Sequence, residues 1–283
     1  MADKTDWAFP AELQPTQGEF GFDLQEVFDA MVLIRAEVPD DAFTAQNLGT
    51  ERAGNGVVIR EGGIVLTIGY LITEAQTIWL TANNGTVMQG YPLAYDQATG
   101  FGLVQPLGRL KLPVLKPFTA EHAGPGDDVV VIAYGGRGHA LKAKIVAKRE
   151  FAGNWEYVLD EALFTAPAHP HWSGSALVDE FGRLLGIGSL LVQEAREEGQ
   201  SLQGNMFVPA ELLEKIQDDL LKFGKVSGPS RPWLGMYVSE MDGNLIVSGI
   251  TQGGPAARAG VKPGDVILGV AGGKPNGIAD VFR

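Results

Sequence analysis

The sequence predicts a mainly β protein: a large sandwich or barrel closed by one helix, then a smaller α+β unit. Two observations carry this. From about residue 28 to 208 short apolar runs alternate with Gly-rich turns, and only Pro209 to Phe223 reads as helix. Beyond a small, polar stretch at Lys225–Ser230 the pattern changes to strand, short helix, strand.

The elements follow in order. Val57-Val58-Ile59 and Ile64-Val65-Leu66-Thr67 are short strands separated by Arg60-Glu61-Gly62-Gly63, a hairpin-length turn. Thr77–Leu80 and Thr86–Met88 flank Asn84-Gly85, a turn whose two residues tolerate positive φ. Further strands are predicted at Val129–Ala133, Ala143–Ala147, Tyr157–Leu159, Ala176–Val178 and Leu184–Ile187. The helix after them has Leu212, Ile216 and Leu220 four apart and Gly224 just past its end. In the second unit, Leu245–Val247 and Val266–Leu268 read as strands around a short helix at Pro255–Ala259 ended by Gly260. Residues 1–27 carry Trp7, Phe9, Phe20 and Phe22, too many aromatics for a disordered tail. They read either as a segment packed across its own domain or as an oligomer contact.

Composition narrows the function classes. The 283 residues are 45% hydrophobic and 20% charged, enough apolar content for a packed core. With 22 basic and 34 acidic residues the net charge is −12, and no basic run is present, so nucleic acid is not an expected partner. There is no cysteine, which excludes disulfides, thiolate metal sites and cysteine nucleophiles. No membrane span is expected, since the apolar run Ala30–Ile34 is far below the roughly 20 residues a spanning helix needs. No export signal is visible after Met1. The compartment stays open: cytoplasmic if Met1 is the native start, periplasmic if a signal was removed.

The chemically informative stretch is His169-Pro170-His171-Trp172-Ser173-Gly174-Ser175-Ala176-Leu177. A serine between loop and strand, followed by small residues, can expose its hydroxyl and aim backbone N–H groups at one point, as an oxyanion hole does. The same residues could make a plain tight turn. His169-x-His171 also allows a shared ion, but no third ligand is evident, so no metal is expected. No cofactor is implied either. His122 and His139 read as exposed loop residues.

Gly54-Asn55-Gly56-Val57-Val58-Ile59, Ile64–Thr67 and Phe207-Val208-Pro209-Ala210-Glu211-Leu212-Leu213 fall in the order and at the spacing found in the HtrA (Deg) family of trypsin-like serine proteases. Trp233-Leu234-Gly235-Met236, with Gly254-Pro255-Ala256-Ala257-Arg258-Ala259-Gly260-Val261-Lys262-Pro263-Gly264-Asp265-Val266-Ile267, resembles that family's PDZ domain. The resemblance implies a trypsin-like double six-stranded β-barrel followed by a partial PDZ-like domain. It divides the chain into an N-terminal segment (1–27), a protease-fold domain (28–225), a linker (226–230) and a PDZ-like domain (231–283). That last domain stops where the family's groove-wall helix begins.

The resemblance also implies site residues, and here the sequence departs from the family. Ser173 holds the nucleophile position. The histidine belongs three residues beyond Thr67, where Tyr70 stands, and the aspartate falls on Gly100. Asp96 matches an earlier, non-catalytic acidic position. The oxyanion hole would be built from the N–H groups of His171, in place of the family's glycine, and Ser173; Ser175 replaces a further glycine. A phenol of pKa near 10 is a very poor general base at neutral pH. The expectation is a pseudoprotease that binds peptides or proteins or serves as a scaffold, with an active endopeptidase using an atypical base as the alternative. The family further implies a homotrimer built by the N-terminal segment, and peptide capture by the backbone of Trp233, Leu234, Gly235 and Met236.

Overall fold

A computed structural model describes residues 7–153, 157–196, 201–228 and 232–283. Fourteen strands run β1 (Met31–Glu37), β2 (Glu51–Val58), β3 (Val65–Ile68), β4 (Thr77–Ala82), β5 (Val87–Tyr95), β6 (Phe101–Pro106), β7 (Asp128–Ile132), β8 (Ala140–Gly153), β9 (Tyr157–Ala166), β10 (Ala176–Val178), β11 (Leu184–Val192), β12 (Gly204–Pro209), β13 (Met236–Met241) and β14 (Asn244–Ile250). The first twelve close into two six-stranded barrels, in the orders β1-β2-β3-β6-β5-β4 and β10-β11-β12-β9-β8-β7. This is the predicted mainly β, double-barrel class.

Closure follows from alternation along the strands. In β1, Val32, Ile34 and Ala36 point inward, and Ile34 lies opposite both Gly54 of β2 and Leu80 of β4, so one strand seals the first barrel. The second barrel is filled by Val129, Val131, Leu141, Ile145, Leu163, Leu177, Leu185 and Phe207. Each such side chain contributes about 1.5–3 kcal/mol by leaving water. Asn84-Gly85 makes the expected hairpin, with Gly85 at φ +84° and Ala82 N donating to the Thr86 carbonyl.

Three expectations change. The helix expected from Pro209 to Phe223 is two pieces, α3 (Glu211–Glu214) and α4 (Gln217–Phe223), because Pro209 is used in β12 and Ile216 leaves helical geometry at φ −121°. The buried positions are Leu213 and Leu220, two turns apart, rather than the Leu212–Ile216–Leu220 row. Two further short helices, α1 (Leu24–Asp29) and α2 (Ala45–Leu48), precede them, α1 capped by the Asp23 carboxylate on Gln25 N. Val266–Leu268 makes an isolated bridge from Val266 to Ile246 in place of a strand.

The segment at residues 7–22 lies across the second barrel. Phe9 N donates to the Gly138 carbonyl, Lys142 N to that of Leu13 and Arg137 Nε to that of Pro15, while Lys142 Nζ pairs with Glu19 at 2.8 Å. Of the two expectations for this segment, the contact seen is with its own chain.

The chain divides into two units, the second comprising residues 149–161 and 227–283. Its core is Val238, Leu245, Val281 and Phe282, with Val158 packed against them. It contains β13, β14, α5 (Pro255–Arg258) and α6 (Ile278–Phe282). The expected linker at 226–230 lies partly outside the described residues. Among the described residues no helix is long and apolar enough to cross a membrane.

Candidate active site

Ser173 sits in the loop before β10, and the first barrel holds that loop in place. Asn55, buried in β2, donates its backbone N–H to the Ser173 carbonyl at 2.8 Å and its side-chain amide to the carbonyls of His171 and Ser173, each at 3.0 Å. Its Oδ1 accepts from Tyr134 N at 2.8 Å, and Thr67 Oγ1 donates to its carbonyl at 2.6 Å. One buried side chain thus satisfies three backbone groups from the second barrel. Gly174 follows at φ +72°, and a Cβ there would stand 1.9 Å from the Asn55 carbonyl oxygen, so only glycine fits.

Tyr70 enters from the first barrel on the one-turn helix Gly69–Leu71. The turn is pinned from behind by Arg52, only 6% exposed. Arg52 Nη1 donates to the carbonyls of Tyr70 (2.7 Å) and Thr73 (3.0 Å), Nε to that of Gly49, and Nη2 to Thr44 Oγ1. The Glu74 carboxylate, on a residue at φ +59°, accepts from Phe43 N, Thr44 N and Thr44 Oγ1, tying the 39–50 loop to the same turn.

Tyr70 Oη lies 2.7 Å from Ser173 Oγ and 2.8 Å from the Ser189 carbonyl oxygen. A carbonyl only accepts, so the single phenolic proton satisfies Ser189 and the Ser173 hydroxyl donates to Oη. Burial pushes the Tyr70 phenol up to about 12, the Ser173 hydrogen bond offsetting part of the rise. At pH 7 about one molecule in 10⁵ carries phenolate. Among the described residues no imidazole, amine or carboxylate hydrogen-bonds to Ser173 Oγ.

Gly100 has φ +77°, with its N–H on the Asp96 carbonyl and its own carbonyl accepting from Gly69 N at 2.7 Å. It therefore abuts the Tyr70 turn through backbone alone. The Asp96 carboxylate is used locally, accepting from Thr99 N and Thr99 Oγ1.

On the other side of Ser173, the backbone of His171 is bonded within its own loop. The His171 N–H donates to His169 Nδ1 at 3.0 Å, and His169 Nε2 lies 3.0 Å from the His139 carbonyl. Nδ1 must accept, so the proton of the neutral ring is on Nε2. Burial pushes this imidazole down to about 4, opposed by its hydrogen bond to the His139 carbonyl and assisted by the nearby His171 and His139 imidazoles. His139, expected to be exposed, is half-buried with its ring 4.7 Å from Trp7; His122 is exposed as expected. Ser175 Oγ donates to the Trp172 carbonyl at 2.8 Å, closing the loop. Among the described residues no group of three or more metal-ligating side chains is found.

In the second unit, Trp233, Leu234, Gly235 and Met236 form the approach to β13. The Leu234 carbonyl accepts from Ala256 N and the Gly235 carbonyl from Thr251 N, while Gly235 turns at φ +72°. These bonds place the loop beside the start of α5.

Among the contributors sequence reasoning missed are Asn55 as a clamp, Arg52 as the pin of the Tyr70 turn, the Ser189 carbonyl as the phenol's acceptor, and His169 Nδ1 as acceptor for the His171 amide. Only Asn55 gave a signal, a polar residue set between two glycines just before the apolar Val57-Val58-Ile59 run.

Residues 54–187 match the trypsin-like peptidase domain and residues 225–281 the PDZ domain. With the twin barrels, these matches define a trypsin-like peptidase fold joined to a PDZ domain. The DegP-like probable periplasmic serine endoprotease of Pseudomonas putida (strain GB-1) is 27% identical over 237 residues, covering 77% of this chain and 47% of that protein. The serine endoprotease DegS of Salmonella typhimurium is 27% identical over 244 residues, covering 80% and 67%. The solved structure of the HtrA-type protease AlgW with tripeptide has a TM-score of 0.56 at 19% identity, covering 90% of this chain and 85% of that one. The chain is thus similar to these serine endoproteases in sequence and to HtrA-type proteases in fold. It spans about half the length of the DegP-like relative.

Proposed function

We propose that this chain is a catalytically inactive HtrA-like homologue that binds peptides or proteins without cleaving them. The observation that carries the reading is the phenol of Tyr70 at 2.7 Å from Ser173 Oγ, with its proton committed to the Ser189 carbonyl. A serine becomes a nucleophile when a base removes its proton during attack. Here the group in reach is a neutral phenol that receives a hydrogen bond and has no capacity to keep the proton at pH 7. Loss of the base alone costs on the order of 10⁶-fold in turnover in a well-studied serine protease, or roughly 8 kcal/mol of barrier. Gly100 leaves no side chain to orient a base, and the His171 amide is engaged elsewhere.

What remains is a framework that orders the Ser173 loop and carries a PDZ-type loop. Binding would use Trp233–Met236 to receive a peptide terminus and β13 to receive an added strand. Homotrimer assembly through the N-terminal segment belongs to the same proposal.

Incubation with casein, beside a Ser173→Ala control, tests the reading; equal, negligible cleavage by both is expected. Ser173-dependent cleavage, or labelling of Ser173 by a fluorophosphonate, would establish the alternative of an active endopeptidase. Tyr70→His with Gly100→Asp supplies the positive control, with fluorophosphonate labelling expected to rise above the parent.

A further inference from the structure

The non-catalytic reading rests on the missing base; a second group acts on the other half of the same site. The amide of His171 has one proton, and it is directed at the Nδ1 of His169, 3.0 Å away. It is therefore turned from the point beside Ser173 Oγ where an oxyanion donor would have to aim. His169 is itself held fast. Asn205 Oδ1 accepts from its N–H at 2.6 Å, Asn205 Nδ2 donates to its carbonyl at 3.2 Å, and its Nε2 donates to the His139 carbonyl. The ring is completely buried, and its cover is the N-terminal segment. Phe9 meets it edge-on at 4.9 Å and Trp7 at 6.3 Å, while Trp7 also meets the His171 ring at 4.9 Å.

We propose that His169 is a positioning residue that holds the His171 amide out of the oxyanion position, and that Trp7 and Phe9 form the lid that keeps it able to do so. Resting on the non-catalytic reading, this deepens it: the site is disabled on both sides of Ser173, and the N-terminal segment controls one of them. An Nδ1 that gains a proton becomes a donor facing another donor, so the amide has to turn. Among the described residues the titratable groups acting on His169 are His139, from the one-turn helix Gly136–His139, and His171, from its own loop; Trp7, Phe9 and Asn205 also contact it and carry no charge. Burial keeps the ring neutral, and among the described residues the charges that act on it are those of these two imidazoles, in line with its lowered pKa.

The experiment is residue-resolved hydrogen exchange of the full chain at pH 7, with exchange of the His171 amide as the readout. In His169→Leu the acceptor is gone, and protection of His171 is expected to fall at least tenfold. The Gly174 and Ser175 amides, bonded to the Gly188 and Trp172 carbonyls, should stay protected. In His169→Asn the side-chain oxygen takes the place of Nδ1, and protection should be retained. A merely structural histidine would not separate the two variants, so equal protection in both overturns the proposal. Should His169→Leu fail to fold, Trp7→Ala decides. Its expected result is an upward shift of the His169 titration midpoint, with loss of His171 protection at the same, higher pH; an unmoved midpoint overturns the lid. Cleavage of casein by the parent chain would sink the non-catalytic reading while leaving this amide measurement to stand on its own.

Discussion

The two barrels meet at Ser173 with different contributions. The second barrel's loop retains what a serine nucleophile needs for presentation: Gly174 at positive φ, the hydroxyl facing the first barrel, and Asn55 anchoring the loop from across the cleft. The first barrel supplies the partner for that hydroxyl, the phenol of Tyr70, on a turn that Gly100 meets through backbone alone. Placement of a nucleophile and its activation are thus separable. Placement depends on backbone contacts that also hold the fold together, whereas activation would depend on the side chains presented at positions 70 and 100.

Gly174→Ala should break the presenting half most severely. Its Cβ would collide with the Asn55 carbonyl in a backbone conformation that disfavours side chains, costing about 3 kcal/mol or more. Denaturant unfolding measures this, and a loss below about 1 kcal/mol would show that the loop is slack.

Acid should act on the same half by a comparable amount. His169 is depressed to about 4 in the folded protein from the ordinary imidazole value of 6.5. The stability it contributes is full above about pH 6.5 and is lost progressively as pH falls toward 4, roughly 3 kcal/mol in all. His169→Asn should flatten that part of the stability–pH curve; an unchanged curve would assign the loss to other groups.

Asn55→Ala leaves Tyr134 N and the His171 carbonyl short of a partner and should cost about 2 kcal/mol. Tyr70→Phe acts on the other half. It removes one hydroxyl, freeing Ser173 and the Ser189 carbonyl together, and should cost about 1 kcal/mol with cleavage still negligible. A Tyr70→Phe loss as large as that of Gly174→Ala would mean that the two halves are not separable after all.

Much of this architecture is legible in the sequence because two-residue alternation and Gly-rich turns are local signals. The Asn84-Gly85 hairpin and the strand at Ala176–Val178 need no more than their own neighbourhoods. The strand Met31–Glu37 escapes notice because it begins as the continuous apolar run Ala30–Ile34. The identities at Tyr70, Gly100 and Ser173 can be read by position in a family pattern, but their geometry cannot. Asn55 reaches carbonyls 116 and 118 residues away, and nothing in its own stretch encodes that pairing. The role of His169 depends on which ring nitrogen accepts, a choice made by its burial between the His139 carbonyl and the His171 amide.

The grip of Arg52 on the carbonyls of Tyr70 and Thr73 has a consequence for this chain's history and for its redesign. Because that guanidinium holds main chain rather than side chain, it works as a socket indifferent to the tool inserted. Whatever residue occupies position 70 leaves from the same Cα in the same direction, toward the serine. Exchanging the tool therefore changes the chemistry on offer without requiring the scaffold to be rebuilt.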